Sequence, residues 1–499
     1  MSTRHLSFVR AMRAFVFVGA AIAVLAGCAS VRPPTMRDAA AVRVGLVAET
    51  SADAIAPTQI PTQRDIAAPW PHDPVLSRLL AQARRASPDL RAAQARLDAA
   101  RAEAGLAARE AMPQGTLSAQ ATETRLSLVE ADPYGLGAPR PPRRSLLWAG
   151  FAIRWELDLF GRVGTAQAIA ERGVDAEAAA LAGATVMLEA EVVRLYAAYR
   201  ERESALASLD DAIRISEQRR RDLSARVAAG LAESTELWQA EAAHDGWQAE
   251  RATADAAQAA LRNRLLSAIG VSPLLDHPMR RLLEAPAGIP APPAFDAYRL
   301  PADFLARRPD VLAAEARLRA AIGETVLADR ADWPSLSLLG TLVSLSSAGG
   351  FGDAASIGSM FGPSLEWDWM GFGRHELREA AARARQDAAA SEFEAEVLRA
   401  VADADSAIRT WAASRAAWDE AVSASTMADR VWRRARSRAE AGLEPRASAA
   451  TAHLVALEAA RRASGAQAEA VAAYAALHLA LGVDPPTATA SPRTAAHRD

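Results

Sequence analysis

Lysine is absent: all 57 basic side chains among the 499 residues are arginine. Set against 60 acidic residues they leave a net charge of −3. That is no field for nucleic acid, and no arginine stripe interleaved with aromatics is present. Cysteine is nearly absent too. A lone Cys28 can make neither an internal disulfide nor a cysteine-based zinc site. The eight histidines are scattered, without metal-ligand spacing. Gly371-Phe372-Gly373 lacks the third glycine of a dinucleotide loop, and no Gly-x-Ser-x-Gly or phosphate-binding loop occurs. The chain therefore reads as no enzyme, with no metal, no cofactor and no nucleic-acid partner. Nowhere is there an apolar run of transmembrane-helix length. Aromatics are only 5%, while alanine is about a quarter of the chain, far above ordinary usage. Alanine in excess, with abundant arginine and glutamate, points to long helices and away from an all-β sandwich.

What is present begins at the N-terminus. Arg4, Arg10 and Arg13 precede an apolar stretch from Ala14 to Ala26, a secretory signal in form and too short to span a bilayer. It ends in Leu25-Ala26-Gly27-Cys28, which resembles a bacterial lipobox. Cleavage before Cys28 would leave its thiol and amine for acylation, and two or more acyl chains anchor a protein stably. Ala29 rather than Asp follows, which by the lipoprotein sorting rule implies the outer membrane.

The chain is also a tandem repeat. Ser87-Pro88-Asp89-Leu90 recurs as Arg308-Pro309-Asp310-Val311, and Ala95-Arg96-Leu97 as Ala316-Arg317-Leu318, both 221 residues on. Phe160-Gly161-Arg162 recurs as Phe372-Gly373-Arg374, Ala229-Gly230-Leu231 as Ala441-Gly442-Leu443, and Ile269-Gly270-Val271 as Leu481-Gly482-Val483, all 212 residues on. The register holds without a gap from Arg162 to Gly270; length changes fall between Pro113 and Gly161 and in the matching second window. Packed helices resist insertion because one extra residue rotates the apolar stripe off its seam. Hairpin tips accept it. The constant windows are therefore predicted as helices and the variable ones as hairpins.

Heptad spacing supports the helices. Val192, Tyr199, Leu206 and Ile213 recur every seven residues, with Leu181, Leu188, Leu195 and Leu209 as a companion seam. So narrow a stripe on so long a helix needs neighbours. Gly230 and Gly442 are placed where each long helix turns back. The hairpin windows alternate instead. Phe151, Ile153, Trp155, Leu157 and Leu159 point one way, and Ala152, Arg154, Glu156 and Asp158 the other. Charges on the second face fit a lipid-facing strand around a wet lumen. The partner strand is expected over Gln114–Glu130, and the second hairpin over Ser335–Ser347 and Ser356–Trp369, with Trp155, Trp367 and Trp369 as interfacial aromatics. Two hairpins give four strands per chain. Four strands cannot close a barrel and open edges cannot sit in lipid, so the chain must assemble.

Together the lipobox, the doubled helix–hairpin–long-helix order, and the paired Phe-Gly-Arg, Ala-Gly-Leu and Gly-Val motifs resemble the OprM/NodT-type outer-membrane efflux lipoproteins of the TolC superfamily. The resemblance implies an α+β membrane protein that trimerises, with four β-strands per chain in a 12-stranded outer-membrane β-barrel continued by a periplasmic α-helical barrel. It implies a passive exit duct for drugs or other small molecules, docked to a periplasmic adaptor and an inner-membrane RND-type pump. Cys28 maps to the acylated cysteine, buried in outer-membrane lipid through its acyl and diacylglycerol groups. Ala229, Gly230 and Leu231 with Ala441, Gly442 and Leu443 map to the periplasmic tip where the adaptor docks. The acidic gate of the family is not matched: Ser448 and Thr451 stand at the usual acidic places, which leaves Glu236 or Glu444 as gate candidates beside an ordinary solvated-charge reading. The implied layout is a signal over 1–27, a lipid-anchored arm over 28–74, a first repeat over 75–274 with its hairpin at 114–159, a Pro-rich linker over 275–301, a second repeat over 302–486 with its hairpin at 335–370, and a tail over 487–499. Two other functions stay open: a type I secretion duct for proteins or peptides, and a periplasmic coiled-coil scaffold without a pore.

Overall fold

The computed structural model describes residues 70–482, apart from 126, 132, 138, 140–141, 293–303 and 348–349. Cys28, the signal, the arm up to residue 69 and the tail lie outside the described residues.

The first repeat opens with α1 (Pro74–Ala86) and α2 (Pro88–Glu110). Asp73 caps α1, its carboxylate accepting from the Val75 and Leu76 amides at 2.7 and 2.8 Å, and proline at the first helical position forfeits no hydrogen bond. Then come β1 (Gln114–Thr124), the single-turn helix α3 (Leu128–Ala131) and β2 (Arg144–Leu157). The long helix α4 (Arg162–Ala228), the return helix α5 (Ser234–Ala268) and short α6 (Pro278–Glu284) complete it. The second repeat runs through α7 (Pro309–Arg330), β3 (Ser335–Ser346), β4 (Ile357–Glu366), α8 (Arg374–Glu440) and α9 (Arg446–Ala480). Both long helices have 67 residues and both return helices 35. At 1.5 Å per residue each long helix extends about 100 Å. No helix among the described residues is long and apolar enough to cross a membrane.

The expected strand Gln114–Glu130 is shorter than the alternation suggested. It stops at Thr124, because Ser127 and Glu130 form a capping box: the Ser127 amide donates to the Glu130 carboxylate at 2.9 Å and the Glu130 amide to the Ser127 hydroxyl at 3.1 Å. Leu159 likewise falls beyond β2, in the corner that leads into α4, and Trp367 and Trp369 fall beyond β4, which stops at Glu366 short of the expected Trp369.

The long helices serve two sets of neighbours. Above, α4 lies between α2 and α7, with α8 beyond α7; below, it lies between α5 and α9, with α8 beyond α9. The lower helices thus form a row α5–α4–α9–α8, and α5 and α8 do not pack on each other. This explains the thin stripe. Val192, Leu195, Tyr199 and Leu209 are buried, while alanines on the flanks let helices approach on both sides. The largest apolar cluster sits at mid-height, where Leu76, Leu79, Tyr196, Leu265, Trp411 and Tyr474 from five helices meet.

Candidate functional site

The four strands form one antiparallel sheet in the order β1-β2-β3-β4. Register fixes its two faces. Thr116 opposes Ala152, Ala152 opposes Thr341, and Thr341 opposes Met360. Because cross-strand partners share a face, one side carries Gln114, Thr116, Ser118, Gln120, Arg154, Glu156, Ser337, Thr341, Ser364 and Glu366, interspersed with the apolar Trp148, Leu339, Val343, Leu345 and Met360. There Arg154 bonds Glu366 across the width of β3 at 3.0 Å. The other side carries Leu117, Phe151, Ile153, Leu338, Leu342, Phe361 and Leu365, with Leu117 80% and Phe361 81% exposed. Outer strands β1 and β4, of 11 and 10 residues, each have one hydrogen-bonding edge without a partner in the sheet, and their length suits a tilted membrane strand.

Below the sheet each chain segment turns sharply into a long helix. The Asp158 carboxylate accepts from the Val163 and Gly164 amides at 2.9 and 2.8 Å, and Arg162 grips Glu156 at 2.7 Å. Gly161 and Gly373 occupy the left-handed region, φ 71° and 76°, which explains the recurrent Phe-Gly-Arg. Arg330, from the end of α7, donates to the Gly161 carbonyl at 2.6 Å and bonds Thr165, tying one repeat's corner to the other's. The tryptophans placed at the interface by alternation have a second duty here. Trp155 Nε1 donates to the Ala111 carbonyl and Trp367 Nε1 to the Asp332 carbonyl, both at 3.0 Å. Each indole fastens a strand's end to the preceding helix's end, while Trp369 is 70% exposed.

At the opposite end lie the two helix turns. Leu231 N donates to Arg226 O at 2.8 Å and Gly230 N to Val227 O at 3.0 Å; Leu443 N donates to Arg438 O at 2.9 Å and Gly442 N to Ala439 O at 3.1 Å. These are paired Schellman closures, with φ 71° at both glycines. Ala229 and Ala441 are the residues before them. Leu231 and Leu443 are each 69% exposed, so both turns present an apolar side chain to solvent. The two gate candidates differ. Glu236 is exposed in the first turn of α5, its amide bonded to Glu233 O. Glu444 is half-buried and engaged, accepting from the Ser448 hydroxyl at 2.7 Å and pairing with Arg438 at 3.3 Å, so it braces its turn.

Sequence reasoning missed a polar cluster at mid-height. Glu189, 1% exposed, accepts from Trp70 Nε1 at 2.8 Å and from Arg84 Nε at 2.5 Å. His478 lies beside it, with burial pushing its imidazole down to about 4 against a weaker upward pull from Glu189. Buried Arg200 donates to the Ala285 carbonyl at 2.9 Å and to Glu203 at 2.6 Å, between the rings of Tyr196 and Tyr199. The heptad count gives no signal for it: Glu189 and Arg200 each fall one residue after a seam position, Leu188 and Tyr199. Among the described residues no group of His, Cys, Asp and Glu could hold a metal ion.

An amphipathic strand arc with open edges, on a row of helices about 100 Å long, is the geometry of a segment of wall. The family described as "Outer membrane efflux protein" matches residues 79–271 and 300–483, one span in each repeat. Outer membrane protein OprJ of Pseudomonas aeruginosa is 29% identical over 338 residues, 66% of this chain and 68% of that protein. Fusaric acid resistance protein FusA of Burkholderia cepacia is 30% identical over 295 residues, 57% of this chain; the match spans 51% of FusA, about half its length. Among solved structures, the outer-membrane channel OprN superposes with a TM-score of 0.72 at 25% identity, covering 86% of this chain and 98% of that one. The open-state outer membrane channel MtrE of Neisseria gonorrhoeae gives 0.71 at 24%, covering 86% and 94%. With the match running through both repeats, the chain belongs to the outer membrane efflux protein family.

Proposed function

We propose that three copies of this chain close into the exit duct of a tripartite efflux system. A two-faced sheet with matched open edges carries this reading. Joining β1 of one copy to β4 of the next, three times over, gives a closed barrel of twelve strands with no edge in lipid. The apolar face then meets the bilayer and the face of Gln114, Thr116, Arg154 and Glu366 lines water. The helix rows continue the wall into the periplasm. The turns at Gly230 and Gly442, with exposed Leu231 and Leu443, form the rim that a periplasmic adaptor grips, and beyond the adaptor an inner-membrane RND-type pump supplies drugs or other small molecules. The duct does no chemistry of its own. Acylation of Cys28 anchors the arm in outer-membrane lipid, and Glu236, exposed beside the rim, is the better placed of the two gate candidates because Glu444 is already bonded.

Planar-bilayer recording on the purified, signal-processed protein tests the duct. Discrete conductance steps from a trimeric species are expected. A protein that is monomeric and soluble without detergent once Cys28 is replaced by Ala would be a periplasmic scaffold instead. For the anchor, Cys28→Ala should abolish acyl labelling and lower outer-membrane recovery.

A further inference from the structure

Within one copy, α4 and α9 belong to different repeats and pack side by side, with the Ser204 hydroxyl 3.1 Å from that of Ser464. The repeat spacing of 212 residues converts this joint into another. Ser204 moves forward to Ala416 on α8, and Ser464 moves back to Ala252 on α5. Those two helices are the free edges of the row and do not pack on each other within the chain, so the equivalent joint can form only between copies.

We propose that α5 of one copy packs on α8 of the next in this register, with Ala252 against Ala416 and, two heptads nearer the turns, Trp238 against Arg430; the proposal rests on the ring reading above. The helix faces agree with this register. Buried Ala240, His244 and Ala254 turn one side of α5 toward α4. At 100° per residue, Trp238 lies on the opposite side, with Ala252 beside it and Glu241 on the flank between that side and α4. On α8, Trp411 meets Tyr474 of α9 and Trp432 stacks on His453 of α9. Ala416, Met427 and Arg430 lie on the side turned away.

The chemistry of the two faces is complementary. Trp238 is 63% and Met427 53% exposed in one copy, an apolar contact waiting on each edge. Arg430 is exposed and has no ion-pair partner among the described residues. Glu241 faces Arg220 of α4, which is already bonded to Glu217. In the proposed register Glu241 opposes Met427, one turn from Arg430, within reach of the guanidinium. Arg430 then lies over the Trp238 indole and pairs with Glu241. Two alanines at the upper end let the backbones approach as the serines do inside the chain.

Cross-linking tests the register directly. Ala252→Cys and Ala416→Cys are introduced together in the full-length chain and oxidised in outer-membrane vesicles. A shift of the monomer band to covalent dimer and trimer on non-reducing gels is expected, with no ladder from either single variant. Ser204→Cys with Ser464→Cys should instead close within each chain and give no ladder. A trimer by native mass spectrometry without a ladder would overturn the seam while leaving the ring. A monomer without a ladder would overturn the ring itself. As a second measurement, Arg430→Glu should lower the temperature at which the trimer dissociates in SDS, and adding Glu241→Arg should restore it. An unmoved temperature, or no restoration, removes the ion pair from the proposal.

Discussion

The indole of Trp70 is stacked on the imidazole of His478, with ring centroids 4.3 Å apart and planes 29° from parallel. Trp70 precedes α1 and His478 lies in the last turn of α9, and the same indole donates to Glu189 of α4. One side chain therefore ties the segment before α1 to both repeats.

That stack makes stability depend on pH. Burial lowers the His478 imidazole from its ordinary 6.5 to about 4. As pH falls through 6.5 the unfolded chain takes up a proton that the folded chain refuses. The contribution of neutral His478 is thus complete above about pH 6.5, declines down to pH 4, and is constant below. A displacement of that size corresponds to about 3 kcal/mol. His478→Phe keeps a ring against Trp70 and removes the titration. Between pH 6.5 and 4 its unfolding midpoint should fall less than that of the parent. Parallel curves would show that His478 is not the group responsible.

The four helix-ending glycines should not respond alike to alanine. All four have positive φ, so each variant bears the left-handed strain, about 1 kcal/mol. At Gly230 and Gly442 an added Cβ meets nothing within 4 Å, whereas at Gly270 it runs into the Ala86 carbonyl oxygen. Gly270→Ala should therefore lower trimer heat resistance clearly more than Gly230→Ala does. Bulky residues at Gly230 or Gly442 should leave trimers intact and impair drug tolerance, because only the rim's shape changes. The reverse order of heat resistance would mean that the turns, not mid-height, limit stability.

The corner tryptophans invite a narrower substitution. Trp155→Phe retains a ring and deletes the donor to the Ala111 carbonyl, a loss of about 1 kcal/mol. A modest drop in trimer melting is expected, with unit conductance unchanged, and Trp367→Phe should behave the same way through Asp332. If only the aromatic surface at the interface matters, both variants will melt with the parent.

The repeat, the strands and the turning glycines were legible because each obeys a period or a φ requirement that a single residue type satisfies. A 212-residue offset in sequence became two helices of 67 residues and two of 35. What could not be read was anything that depends on residues far apart meeting. Glu189 with Trp70 and Arg84, Arg330 with Gly161, and the ends of α5 and α8 are each set by how helices are rowed. A heptad count states that a face is apolar without naming the helix opposite. Strand parity marks Trp155 as interfacial, while its bond to Ala111 is invisible in sequence because Ala111 precedes the hairpin's first strand. Alternation carries the expected strand on to Glu130 because it does not register the capping box of Ser127 and Glu130.

Strand parity can be tested at two neighbouring residues. Thr116 and Leu117 are neighbours in β1, paired with Ala152 and Phe151 respectively. They therefore lie on opposite faces, Thr116 with Arg154 and Glu366, Leu117 with Phe361 and Leu365. An arginine placed on the lipid side of a barrel strand costs about 2–4 kcal/mol near mid-bilayer, while the lumen side accepts it. Leu117→Arg should thus reduce the yield of assembled trimer in the outer membrane. Thr116→Arg, one residue away and of the same charge, should assemble normally and alter conductance and ion selectivity instead. Equal effects from the two would mean that the sheet does not separate lipid from water, since nothing else in β1 distinguishes adjacent residues of one exposed strand.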